Sequence, residues 1–285
     1  MTPVRRRFAD LPHGQLHMRT AGVAGEATPL VMLHASPGSS KQVEALTAAL
    51  GASRLVVSPD CPGNGDSEPL PQEVPEIDEL ADAILAGVTA QLPDGPVDVY
   101  GSHTGARLAA SIALRYPERV RRLVLDGFGV YTPDRRAEIL ATYAPEMKPD
   151  QIGQYLMWAW HFSRDQWIWF PWFEKKMDKR VPLDLPSAES LHDLMVEVMK
   201  AVTTYHRSYR AAFRFDMSEK VPQLTHPALI CAQKTDMIFR MLPEMSALMP
   251  AAAVAELPGT ASPADTAESA AIIARYLDGP VPAAG

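Results

Sequence analysis

The chain has 285 residues, 47% of them hydrophobic and 21% charged, with a formal net charge of -7. That length buries one large core, or one core carrying an inserted lid. The acidic balance argues against general nucleic-acid binding, because no excess of Lys or Arg is present to neutralise phosphates. The Arg5-Arg6-Arg7 run is short and reads as a solvated strand edge.

Only two cysteines occur, Cys61 and Cys231, far apart in apolar surroundings. They read as buried free thiols, with neither a disulfide framework nor a CxxC metal site. The N-terminus is charged and lacks an apolar signal core. No apolar run reaches the ~18 residues a membrane span requires. The expectation is a cytoplasmic protein without membrane contact, metal or cofactor.

In chain order, Arg6 to Leu11, a Pro12-His13-Gly14 turn and Gln15 to Ala21 predict a hairpin. From Pro29 the pattern changes. Strands are predicted at Leu30 to His34, Arg54 to Ser58, Val97 to Tyr100 and Val120 to Asp126. Between them, helices are predicted at Ser40 to Leu50, Pro75 to Gln91 and Thr104 to Tyr116, the last stopped by Pro117. Residues 131–220 contain helix-like segments and no convincing strand run. The alternation resumes with a strand at Ala228 to Ala232, a helix near Leu242 to Met249, a strand at Ala253 to Leu257 and a helix at Pro263 to Leu277. Such alternation implies an α/β fold: a mostly parallel twisted sheet with helices on both faces and an inserted helical cap. The division predicted is a core of residues 1–130 and 221–285, with a cap of residues 131–220 over the carboxyl ends of the strands, where open parallel sheets bind ligands.

The strongest local motif is Val97-Asp98-Val99-Tyr100-Gly101-Ser102-His103-Thr104-Gly105-Ala106. A strand enters, a tight turn follows, and a helix leaves. Gly101 and Gly105 flank His103 symmetrically, as small residues do around a strained turn where helix and strand approach closely. Centring the turn on Ser102 fails, because Tyr100 and Thr104 would then take the small-residue positions.

With its surroundings, this motif resembles the nucleophile elbow of the α/β-hydrolase family. Leu33-His34-Ala35-Ser36-Pro37-Gly38 is similar to the family's oxyanion loop, with Ala35 for the usual glycine. Ser58-Pro59-Asp60-Cys61-Pro62-Gly63-Asn64-Gly65-Asp66-Ser67 is similar to its Pro-Asp-x-Pro-Gly-x-Gly-x-Ser loop. Val120 to Gly127 resembles the strand after the elbow helix. His226-Pro227-Ala228-Leu229-Ile230 with Lys234-Thr235-Asp236 resembles the strand that delivers the acid. The resemblance implies Asp236 as the acid, Asp126 as an alternative acid, and the backbone N–H groups of Ser36 and Thr104 as oxyanion donors. His34 is assigned no catalytic role.

Two positions depart from the family. His103 stands where serine, cysteine or aspartate is usual. Ser262, in Leu257-Pro258-Gly259-Thr260-Ala261-Ser262, stands where the catalytic histidine is expected, and no histidine follows His226. The ordinary Ser–His–Asp arrangement is therefore excluded. An Asp236–His103 dyad can replace it, with His103 as general base, as nucleophile, or as the base for Ser262 in a mirrored triad, ranked in that order.

All five tryptophans fall between Trp158 and Trp172. They serve either cap packing or an apolar, aromatic substrate pocket, for which Trp158, His161, Trp167 and Trp169 are the candidate contacts. Arg164, Asp165 and Lys175 read as solvated. The expected partner is a small apolar or aromatic ester, lactone or carbonyl compound, with a homodimer left open. Two other functions stay open: a non-catalytic binding protein on the same fold, and a cofactor-free lyase, isomerase or oxygenase using His103 for proton abstraction.

Overall fold

Eight strands form one twisted sheet in the computed structural model, which describes residues 2–280. The strands are β1 (Arg5–Leu11), β2 (Gly14–Ala21), β3 (Leu30–Leu33), β4 (Val56–Pro59), β5 (Val97–Ser102), β6 (Val120–Asp126), β7 (Ala228–Gln233) and β8 (Ala253–Leu257). Their order across the sheet is β1-β2-β4-β3-β5-β6-β7-β8. The β1–β2 and β2–β4 pairs are antiparallel. Every other pair is parallel. The central strands β3, β4 and β5 are buried along their whole length, and β3 accordingly reads as a continuous apolar run, Leu30 to Leu33, rather than an alternating one. Arg5, Arg6 and Arg7 lie exposed on β1, the edge strand.

Helices cover both faces, as predicted. On one side α1 (Glu44–Leu50) and α10 (Pro263–Asp278) pack together over Met32, Tyr100, Val124 and Cys231, while α9 (Leu242–Ala247) connects β7 to β8. On the other, α2 (Ile77–Thr89) and α3 (Thr104–Arg115) close a core of Leu33, Val99, Leu125 and Ile230. Buried Ala106, Ala109, Ala110 and Ala113 let α3 sit close to the sheet. Cys61 and Cys231 are buried and free.

The strand order fixes the site. From β3 the chain moves outward to β4 and then crosses back to β5 on the other side of β3. The strand order reverses there, so the loops leaving β3 and β5 diverge and open a crevice at their carboxyl ends. The Ser36 loop leaves β3, and His103 leaves β5. Asp126 ends the next strand, and Asp236 follows the one after.

Between β6 and β7 lie α4 (Pro133–Thr142), α5 (Gln154–Asp165), α6 (Ala188–Lys200), α7 (Tyr205–Arg214) and α8 (Met217–Lys220). Ile139, Tyr143, Ala159, Phe162 and Val198 give this segment an apolar cluster of its own. Its end is shared with the main body: Ala211, Ala212 and Met217 join the core beneath α3. Among the described residues no helix is long and apolar enough to cross a membrane.

Candidate active site

The turn between β5 and α3 is strained at one residue. His103 has φ 52° and ψ -105°, and it is the only non-glycine residue with positive φ among those described. Such a conformation costs about 1–3 kcal/mol and persists only where its surroundings enforce it. The two glycines supply the room. A Cβ on Gly101 would lie 2.0 Å from the Gly105 carbonyl oxygen. A Cβ on Gly105 would lie 2.1 Å from the Leu33 carbonyl oxygen. Both contacts are with backbone, so no side-chain rotation relieves them. The His103 N–H donates to the Asp126 carbonyl at 3.0 Å and ties the elbow to β6.

The imidazole is held from outside the elbow. His103 Nε2 lies 2.6 Å from Asp236 Oδ2. The other oxygen, Oδ1, accepts from the Ile238 N–H at 2.9 Å, which fixes the carboxylate on its loop. A carboxylate only accepts, so Nε2 carries the proton and Nδ1 keeps its lone pair when the ring is neutral. Burial lowers the His103 pKa, but the charge and hydrogen bond of Asp236, with a further contribution from Asp126, outweigh it and raise the value. The ring remains 34% exposed, toward the cavity. A Cβ on Gly127 would stand 3.1 Å from Asp236 Oδ2 and 3.4 Å from His103 Nε2, so a glycine here leaves the pair its space.

Asp126 is near this pair but does not hold the ring. Its Oδ2 accepts from the Tyr100 hydroxyl at 2.5 Å and from Gln233 Nε2 at 2.9 Å. Burial pushes its pKa up to about 6, against the lowering by those two donors. Its Oδ1 is buried without a partner, and among the described residues no hydrogen bond joins Asp126 to the His103 ring, which Asp236 holds instead.

Ser262 is also placed elsewhere. It is the N-cap of α10: its Oγ accepts from the Asp265 N–H at 3.1 Å and donates to Asp265 Oδ2 at 2.7 Å. Among the described residues no hydrogen bond joins it to His103. Thr260 and Ala261 line the cavity in its place. The mirrored triad therefore has no geometric basis, since a Ser-Pro start to a helix commits the hydroxyl to capping.

Ser36 and Thr104 both line the cavity beside His103. Thr104 opens α3, whose first-turn N–H groups have no intrahelical partner. Among the described residues, no acceptor engages the N–H of Ser36 or Thr104. His34 is structural. Its Nε2 accepts from the Cys61 N–H at 2.9 Å, and its Nδ1 faces the Ala35 carbonyl at 2.6 Å. It thus joins the β3 loop to the β4 loop.

The cavity encloses about 1030 Å³ between the strand ends and the helical segment. Of the four expected cap contacts only Trp167 lines it. Trp158 stacks on Phe162 with ring centroids 5.2 Å apart and meets Trp172 edge-on, which places it in the helical segment's own core. Trp169 pairs by backbone with Arg180, and His161 is directed at Asp165. The i, i+2 spacing of these aromatics spreads them round α5 and the following loop, and most turn inward. Asp165 is buried rather than solvated, and its carboxylate takes Lys175 at 2.6 Å.

Several lining residues carried no signal of their own in sequence. Phe128, Tyr131, Tyr143, Tyr209 and Phe213 supply the aromatic wall. Arg107 is the exception: an arginine on α3 amid alanines and leucine is a departure that could have been noticed. Among the described residues one group could hold a metal, His17, Asp60 and Asp66. The three residues are joined by hydrogen bonds. Asp60 accepts from His17 Nδ1 at 2.8 Å, the Ser40 N–H at 2.7 Å and the Asp66 N–H at 2.9 Å.

Comparison with known proteins agrees with this architecture. Residues 28–154 match a family model described as alpha/beta hydrolase fold. Over 138 residues the chain is 36% identical to a 2-hydroxy-6-oxononadienedioate/2-hydroxy-6-oxononatrienedioate hydrolase of Cupriavidus pinatubonensis, covering 45% of this chain and 46% of that one. It is 36% identical over 107 residues to a 2-hydroxymuconate semialdehyde hydrolase of a Pseudomonas species, covering 36% and 38%. The chain thus aligns with less than half the length of these relatives. Epoxide hydrolase A from Mycobacterium thermoresistibile superposes with a TM-score of 0.72 at 18% identity, over 97% of this chain and 99% of that one. The enol-lactonase from Burkholderia xenovorans LB400 superposes with 0.66 at 18% identity, over 96% and 100%. The chain has the α/β-hydrolase fold, and the two sequence relatives named are hydrolases.

Proposed function

We propose that the protein hydrolyses a small ester, lactone or related carbonyl compound, with His103 as the general base. The observation that carries this reading is the 2.6 Å contact between His103 Nε2 and Asp236 Oδ2 at a strained elbow open to the cavity. The dyad leaves Nδ1 as the basic nitrogen. Its topological distance from the backbone equals that of an aspartate side-chain oxygen, one bond longer than a serine hydroxyl.

In the proposed step a water donates its proton to Nδ1 while its oxygen attacks the carbonyl carbon. The developing oxyanion accepts hydrogen bonds from the Ser36 and Thr104 N–H groups. The imidazolium formed is stabilised by Asp236 and returns its proton to the leaving oxygen. Such a base contributes about 10²–10⁴-fold in rate. Direct attack by Nδ1 is the weaker variant. Acylation would consume the lone pair of Nδ1, so the same ring could not then take the proton of the water that must hydrolyse the acyl-imidazole. Residues 131–220 act in this proposal as a cap that excludes bulk water.

The test is turnover of a panel of short aryl esters and small lactones, followed by rapid-mixing kinetics and intact-protein mass spectrometry. Turnover without a stoichiometric burst or an acyl adduct supports the base mechanism. An adduct on His103 overturns it in favour of nucleophilic attack. No turnover above the buffer rate on any member of the panel overturns the hydrolytic reading.

A further inference from the structure

Arg107 lies one helical turn after His103 on α3 and lines the cavity, yet it is only 6% exposed. Among the described residues no carboxylate lies within ion-pairing distance of its guanidinium. Its Nη1 donates to the His103 carbonyl at 3.2 Å. Its Nε is buried without an acceptor. The group sits 5.8 Å from the centroid of the Phe213 ring. Burial pulls its pKa down, so the protein spends free energy to keep a cation here. Of the other buried arginines, Arg19 meets Glu44 and Arg54 meets Asp278 and Asp98, while Arg122 donates to two backbone carbonyls, those of Tyr276 and Gly279, and lines neither the cavity nor the elbow.

The cavity's own acids do not supply the missing charge. Asp184 and Asp193 are exposed at its rim, and Glu197 is paired with Lys200 at 3.2 Å. A buried guanidinium facing a cavity beside the reacting residue is suited to a planar anion, which it holds through two parallel hydrogen bonds.

We propose that Arg107 binds a carboxylate of the substrate, so that the protein takes small organic acids carrying an apolar or aromatic group and a second, reacting carbonyl. The class of substrate rests on the hydrolytic reading above; the carboxylate site itself does not. Arg107's link to the His103 carbonyl would place the bound carboxylate near the elbow and fix which carbonyl of the molecule reaches Nδ1.

Binding separates the two. The dissociation constants of 3-phenylpropanoate and its isosteric neutral amide, 3-phenylpropanamide, are measured by calorimetry and by quenching of tryptophan emission. The wild type is expected to bind the acid on the order of 10- to 100-fold more tightly than the amide, the range for a hydrogen bond to a charged group. Arg107→Met is expected to remove that preference, and Arg107→Lys to retain part of it while losing the two-pronged geometry. The Lys variant covers the case in which the Met variant does not fold. Equal binding of acid and amide by the wild type, or no saturable binding of the acid, overturns the proposal whether or not any ester is hydrolysed. Acid-selective binding with no turnover on the ester panel would retain the site and discard the hydrolase.

Discussion

Replacing Asp236 with asparagine tests the dyad without emptying its space. The amide keeps the volume and an accepting oxygen, but it removes the charge 2.6 Å from His103 Nε2. A hydrogen bond to a charged partner is worth about 1.5–3 kcal/mol. The imidazole is 34% exposed, so screening favours the lower end, about 1.5 kcal/mol, or roughly tenfold in kcat/KM. The pH profile gives the sharper readout. Burial lowers the His103 pKa and Asp236 more than offsets it, so removing the charge leaves the lowering in place. A base works when neutral, and wild-type kcat/KM therefore rises with pH through a raised pKa. In Asp236→Asn that limb is expected to move to lower pH, with a reduced plateau.

Stability follows the same linkage. A histidine whose folded pKa is raised contributes stability that is complete below its unfolded value of about 6.5 and is lost as pH rises through the folded pKa. The gap in stability between wild type and Asp236→Asn should be widest in mild acid and narrow toward alkaline pH. Denaturant titration at several pH values and steady-state kinetics over the same range measure both effects. A limb that stays in place, with kcat/KM within about twofold of wild type, would refute the dyad, because the expected loss is about tenfold.

Three further outcomes are expected. Gly105→Ala drives a Cβ to 2.1 Å from the Leu33 carbonyl oxygen and should cost at least about 3 kcal/mol. A thermal melt should therefore fall by about 6–12 °C. Ser262→Ala removes an N-cap and should cost about 1 kcal/mol while leaving kcat unchanged, whereas a large loss of kcat at unchanged fold would revive the mirrored triad. Trp158→Ala and Trp167→Ala should separate packing from binding. The first should lower stability by about 3–5 kcal/mol through a cavity in the helical segment. The second should raise KM by about 2- to 10-fold with little change in melting.

The centre of the sheet was legible because β3, β4 and β5 are buried on both faces and bounded by turn residues. The β5–α3 elbow was legible because only small residues allow its close approaches, so Gly101 and Gly105 betray it by spacing alone. Asp236 followed from its place after β7. The position of Ser262 was less legible: its loop resembles one that carries a catalytic residue, but Pro263 makes it a helix cap, a local preference that outweighs the loop's position. The aromatic cluster stayed open between packing and binding for a related reason. Close spacing shows that side chains diverge, but not which side meets solvent or ligand. Arg107 shows the opposite limit, since its lack of a partner is a property of the folded surroundings and no sequence window contains it.

The most direct test of the central claim compares wild type with His103→Ala on a single ester of the panel, at the pH of the wild-type plateau. The account expects kcat/KM to fall by about 10²–10⁴-fold, the contribution of a positioned general base, with a cooperative thermal melt retained, because the elbow N–H still donates to the Asp126 carbonyl. A His103→Ala protein that hydrolyses the ester at the wild-type rate would contradict the account.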